Sequence, residues 1–130
     1  MDQRHDMLAA MKRLRQLGVQ LVMDDFGTGY SALSCLHHFP IQTLKLDRSF
    51  IHSMEDRPDF TAIVLAIITL ADHLNLAVVA EGLETQSNVA QLQALDCGFA
   101  QGYYFAKPMP PEDLPAYLAS QDPRPRHAVA

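Results

Sequence analysis

Tryptophan is absent from this chain of 130 residues, and cysteine occurs only twice, at Cys35 and Cys97. Two isolated thiols make neither a disulfide framework nor a structural zinc site, so both are expected to be buried. Basic charge is scarce as well. Ten Lys and Arg face fifteen Asp and Glu, the net charge is −5, and no basic stripe appears. That balance argues against long nucleic acid and against anionic membrane surfaces as partners. An anionic ligand would need metal ions to neutralise it. Long apolar runs are missing too: the longest, residues 63–71, is too short and too interrupted to span a bilayer, and Met1-Asp2-Gln3 does not begin a secretory signal. A cytoplasmic location is expected, with any membrane anchor of a longer parent lying in other domains.

What is present suits one globular domain. Hydrophobic residues make up 48% and charged residues 19%, and the length suffices for a real core. The expected domain covers residues 1–120, with residues 121–130 as a disordered tail that lacks periodicity.

The stretch from Val19 to Ser31 organises the rest. Residues 19–23 are apolar and β-prone, as expected of a strand covered on both faces, and Asp24 and Asp25 follow where that run stops. Adjacent carboxylates repel, and both stay ionised most easily when a cation lies between them or each has its own donors. Gly27 and Gly29 then permit a tight loop. Taken alone, the acid pair fits a metal or phosphate site and equally a pair of loop caps.

Before this strand, Met7, Leu8, Met11, Leu14 and Leu17 mark an amphipathic helix over residues 2–17, stopped by Gly18. After it, residues 31–38 read as a short helix ended by Pro40. His37 and His38 are neighbours there, point about 100° apart and cannot share one ion, so they are assigned to the surface.

Residues 43–47 alternate as a second strand, with Leu44 and Leu46 on one side and Lys45 and Asp47 on the other. A mid-strand lysine is costly unless it faces water, an acid or a ligand, so Lys45 is an edge residue or a site residue. Asp56 is the expected cap of a helix that has Pro58 in its first turn, runs to about Leu74 and places Ile63, Ile67, Leu70 and Leu74 on the core. Residues 77–81 form a third strand ending in Glu81. Thr85 caps a helix with Val89, Leu92 and Leu95 inward and Gly98 at its exit. Residues 99–103 form a fourth strand, and Pro110 and Pro111 open a last helix through Leu118.

Four strand-helix units with short connections imply parallel strands. Asp24 and Asp25, Lys45 with Asp47, Glu81, and Gln101 then fall at or near the carboxyl ends of successive strands, which share one face in such folds. Acids able to hold divalent cations, a lysine and a glycine loop suit metal-assisted attack of water on a phosphate ester. Enolate chemistry with one magnesium ion uses similar pieces, and spacing does not separate the two.

Four motifs carry more. Asp24-Asp-Phe-Gly-Thr-Gly-Tyr-Ser31, Thr43-Leu-Lys-Leu-Asp-Arg-Ser-Phe50, Val79-Ala-Glu-Gly-Leu-Glu-Thr85 and Ala100-Gln-Gly-Tyr-Tyr-Phe-Ala-Lys-Pro108 resemble, in order and spacing, the EAL family of cyclic di-GMP phosphodiesterases. The resemblance runs nearly to Leu118. It implies an α/β fold made of the last four βα units of a modified (β/α)8, TIM-like barrel that cleaves cyclic di-GMP to the linear dinucleotide with two magnesium or manganese ions. On that resemblance Asp24 and Asp25 hold metal, Lys45 holds the attacking water, and Glu81 acts on that water as base or through the metal. Gln101 supports the metal-water cluster. The loop Phe26, Gly27, Thr28, Gly29, Tyr30 and Ser31, with Glu84 holding it, couples metal to substrate and to dimer contacts.

The departure is an absence. The family's Glu-Ala-Leu motif, with the Asn and second Glu that complete its first metal site, belongs to an amino-terminal half this chain does not contain. A complete barrel takes about 200 residues or more. The expectation is a half-barrel with two raw sheet edges, inactive by itself, that forms a homodimer by closing one barrel from two copies or by exchanging strands. The alternative is a degenerate module that binds nucleotide or protein without turnover.

Overall fold

Short aliphatic runs separated by amphipathic segments fold here into a parallel sheet with helices on one side. A computed structural model describes residues 3–27 and 32–121. The order is α1 (Gln3–Gln16), β1 (Val22–Phe26), α2 (Ala32–His38), β2 (Thr43–Leu46), α3 (Arg48–Ser53), α4 (Pro58–His73), β3 (Ala77–Ala80), α5 (Gln86–Ala94), β4 (Phe99–Ala100), a 3-10 turn (Pro111–Asp113) and α6 (Leu114–Ser120). The strands lie in the order β1-β2-β3-β4, all neighbours parallel, as the alternation of elements predicts. No described helix is long and apolar enough to cross a membrane.

Register assigns the two faces of the sheet. Leu44 pairs with Met23 and Val78, and Leu46 with Phe26 and Ala80; this face is buried under the helices. Val64 and Ala71 of α4, Ile51 of α3 and Leu92 of α5 complete the core with Leu83. Each fully buried Leu, Ile or Val contributes roughly 1.5–3 kcal/mol by leaving water, so this layer holds the fold together. The opposite face carries Val22, Thr43, Lys45, Ala77, Val79 and Phe99, and nothing covers Val22 or Phe99, which are 49% and 61% exposed. In a closed barrel that face is the interior.

Three helices end in one backbone device. Val19 N–H donates to Leu14 and Gly18 N–H to Arg15; Leu76 donates to Ala71 and Asn75 to Asp72; Cys97 donates to Leu92 and Asp96 to Gln93. Each is a Schellman motif with a left-handed residue, at Gly18, Asn75 and Asp96 respectively. The stop of α5 is thus Asp96, two residues before the Gly98 expected from sequence.

Several other expectations are corrected. The first strand is not residues 19–23 but Val22–Phe26, because the Schellman turn still holds Val19; the acid pair therefore lies inside the strand and not after it. Asp47 lies just past the carboxyl end of β2, as expected, but its carboxylate is used locally. It caps α3, a helix not expected from sequence, by accepting the Ser49 N–H at 2.9 Å and the Ser49 hydroxyl. Asp56 caps nothing: Arg57 occupies the start of α4, without a side-chain cap, and pairs with Asp59. On α4 the inward stripe is Phe60, Val64, Ile67, Ile68 and Ala71, whereas Ile63 and Leu74 are exposed. The amphipathic helix α1 buries none of its residues fully. The fourth strand shrinks to Phe99–Ala100, since residues 102–105 turn back so that Tyr104 N–H reaches the Leu83 carbonyl. Cys35 and Cys97 are free thiols but only partly buried. Thr28, Gly29, Tyr30, Ser31 and the tail beyond residue 121 lie outside the described residues.

Candidate metal centre at the carboxyl rim of the sheet

The acid pair sits on an irregularity of β1. Pairing with β2 slips between Met23 and Phe26, and Asp25 adopts φ 52°, in the left-handed region. A bulge of this kind inserts one residue and re-aims side chains, which lets two consecutive carboxylates serve one rim when a regular strand would send them to opposite faces. Asp25 N–H donates to the Asp24 carboxylate at 2.8 Å, which steadies the turn. Gly27 follows with φ 99°, and a Cβ there would collide with the Phe50 ring. Phe50 stacks in turn on Phe60 at 5.8 Å, so α3 and α4 buttress the turn behind the acids.

Lys45 projects from the open face of β2. That strand is interior, so Lys45 is not an edge residue, and the partner it faces is an acid. Its Nζ lies 2.7 Å from Glu81 Oε1, and both side chains are mostly shielded, at 24% and 17% exposure. The hydrogen bond to Glu81 is the main cause holding the Lys45 ammonium above its ordinary pKa, with burial opposing and the charges of Glu81, Asp24 and Asp25 adding. Ligand oxygens of Asp24, Asp25 and Glu81 all fall within 4.8 Å of one another. Three strands thus bring four of the sequence-identified residues together.

The other candidates stand differently. Gln101 is held at the rim by its backbone, donating to the Ala80 carbonyl at 2.8 Å and accepting from Leu83 N–H at 3.2 Å. Phe26 is buried on the helix face and is core, not loop. Glu84 lies outside the carboxylate cluster. Its N–H donates to Asn88 Oδ1 at 3.2 Å.

Asn88 is a residue that sequence reasoning missed. It is 2% exposed, accepts from Glu84 and Thr85 N–H, and donates from Nδ2 to Glu55 Oε1 at 2.7 Å. Thr85 accepts from Asn88 N–H in return, so the two form a capping box that anchors the chain just after Glu81. The Thr85-x-x-Asn88 spacing is its sequence signal. Gly82, at φ 76°, packs against Arg48 where a Cβ would not fit, and His52 Nε2 lies 3.2 Å from its carbonyl. For Phe50 and Glu55 no local pattern signals the role.

Three carboxylates form a hard oxygen donor set of the kind that suits magnesium or manganese and not a thiophilic metal. The cluster accordingly fits a divalent cation, with Lys45 beside it.

Known proteins resemble this chain in sequence and in fold. The family profile described as EAL domain matches residues 1–108. The cyclic di-GMP phosphodiesterase RocR of Pseudomonas aeruginosa is 42% identical over 112 residues, which are 86% of this chain and 29% of that protein. The crystal structure of the EAL domain of Mycobacterium smegmatis DcpA is similar at a TM-score of 0.85 and 39% identity, over 92% of this chain and 53% of that one. A manganese/cyclic di-GMP complex of Klebsiella pneumoniae BlrP1 is similar at a TM-score of 0.73 and 35% identity, over 77% of this chain and 26% of that one. The chain therefore spans about half of the solved DcpA domain and under a third of RocR.

Proposed function

Because the chain belongs to the EAL domain family, we propose that it supplies the carboxyl half of a metal-dependent phosphodiesterase site that hydrolyses cyclic di-GMP to the linear dinucleotide pGpG. The observation that carries this reading is the meeting of Asp24, Asp25 and Glu81 with Lys45 on one rim of a parallel sheet. A pair of magnesium or manganese ions there would stabilise the entering and leaving oxygens of an in-line displacement at phosphorus. Asp24, Asp25 and Glu81 supply carboxylate oxygens to those ions. Lys45 orients the attacking water and offsets negative charge as it develops. Glu81 acts on that water as base or through the metal, and Gln101 supports the metal-water cluster. Gly27 and Glu84, on the chain that follows the carboxylates, link this rim to substrate and to dimer contacts. The setting is the cytoplasm, in bacterial second-messenger signalling.

The half-domain span and the uncovered sheet face support two further parts of the reading. The chain alone is inactive, for want of the remaining metal ligands, and it associates as a homodimer through its open edges, by barrel closure or strand exchange. The same span favours a second reading, a non-catalytic module that binds nucleotide or protein.

Grafting residues 1–108 in place of the corresponding half of a complete EAL phosphodiesterase separates the two. The chimera is expected to convert cyclic di-GMP with magnesium or manganese, and to lose conversion on Asp24→Asn or Lys45→Ala. A folded but inactive chimera would favour the non-catalytic module. For the chain by itself, chromatography is expected to show no product, and light scattering a dimer.

A further inference from the structure

The acid cluster already holds a cation of the protein's own. Three carboxylates with oxygens inside 4.8 Å repel one another, and the Lys45 ammonium, 2.7 Å from Glu81 Oε1, offsets part of that repulsion. It does so from an interior strand, on a stem whose direction is set by the β2 register, so its place at the rim is built in. A divalent ion at ordinary carboxylate distance, about 2.1 Å from Glu81 Oε1, would lie within about 5 Å of Nζ, where like charges repel strongly behind partial shielding. Both cations cannot share that oxygen at full strength.

We propose that Lys45 is a built-in competitor of the divalent cation: while paired with Glu81 it offsets one of the three charges of the Asp24, Asp25 and Glu81 cluster, and metal binds only as the Lys45–Glu81 pair opens. This deepens the metal reading of the same rim and rests on it. The device has three consequences. It keeps an otherwise self-repelling cluster stable before loading, and it lowers affinity for metal so that occupancy follows the supply of cation. It also releases the Lys45 amine toward the open face at the moment the metal arrives, which is when a water or a phosphate oxygen would need it.

The test is direct manganese titration of the 130-residue chain, followed by calorimetry, for the native sequence, Lys45→Met and Lys45→Arg. Lys45→Met is expected to bind manganese about tenfold more tightly, since it removes both the pairing and the positive charge. Lys45→Arg keeps the charge and is expected to stay near the native affinity. Equal or weaker binding by Lys45→Met overturns the competition while leaving the metal site in place. Failure of the native chain and of Lys45→Met alike to bind manganese overturns the site and the competition together. A second measurement needs no variant. The chain has three lysines, Lys12, Lys45 and Lys107, so their side-chain carbon resonances can be followed separately. Saturation with magnesium is expected to shift Lys45 alone; an unmoved Lys45 signal at saturation means the pair stays closed, and refutes the proposal.

Discussion

Replacing Asn88 by Ala tests whether the loop after Glu81 is held by one buried amide. In the native chain Asn88 Oδ1 accepts from Glu84 and Thr85 N–H, each at 3.2 Å, and Nδ2 donates to Glu55 at 2.7 Å. Glu55 is exposed and recovers water when the amide goes, so the loss lies chiefly in the two backbone N–H groups. One buried unsatisfied donor costs about 1–3 kcal/mol, and these two are only partly shielded, so about 2 kcal/mol in total is the reasonable sum. With a urea slope of about 1.5 kcal/mol/M for a small domain, the midpoint should fall by about 1.3 M at unchanged slope. Urea denaturation followed by circular dichroism measures it. Thr85→Ala removes the reciprocal cap and should cost about 1 kcal/mol. Because both residues belong to one capping box, the double variant should cost less than the two singles added, by at least 0.5 kcal/mol on the scale of coupled neighbours, which is about 0.5–3 kcal/mol. A midpoint shift under 0.3 M for Asn88→Ala, or strict additivity, would refute the reasoning.

Gly27→Ala should destabilise by about 1–3 kcal/mol, because φ 99° strains any Cβ and the Phe50 ring fills its space; in thermal melts the substitution should cost less in a Phe50→Leu background than in the native one, since the clash is gone there and the backbone strain remains. Asp47 is held below its ordinary pKa, first by the Ser49 hydroxyl and then by the Ser49 N–H. Its stabilising effect is therefore present above the unfolded carboxylate value of about 3.9 and fades as pH falls through the lower folded value, so Asp47→Ala should cost about 1 kcal/mol at pH 7 and little near pH 2. Burial pushes the Cys97 thiol above its ordinary range, which depletes thiolate. Iodoacetamide at pH 8 should accordingly modify Cys97 much more slowly in the folded chain than in urea, and equal rates by mass spectrometry would contradict the packing around it.

Much of this molecule was legible without coordinates. Hydrophobic periodicity is a local property, so the alternation of helices with short aliphatic runs around Met23, Leu44 and Val78 announces a parallel α/β sheet, and Thr85 declares its own cap. The motifs around Asp24, Lys45, Glu81 and Gln101 carry the family because residue identity at fixed spacing is written in the chain itself. The role of Asp47 was misjudged for the converse reason: a carboxylate after a strand looks the same whether it faces a site or caps the next helix, and only the Ser49 N–H decides.

What tertiary structure alone decided are relations between distant strands. The bulge that turns Asp24 and Asp25 to one rim depends on register against β2, and the Lys45–Glu81 pair depends on β2 lying beside β3. The seat of Phe50 under Gly27 and the inward stripe of α4 depend on how helices lie over the sheet. Such contacts join residues far apart in sequence, and packing, not local propensity, selects them. By itself, the chain's sequence determined most of the elements, their order and the family; the short helix α3 and the convergence of three carboxylates and a lysine into one charged centre needed the tertiary structure.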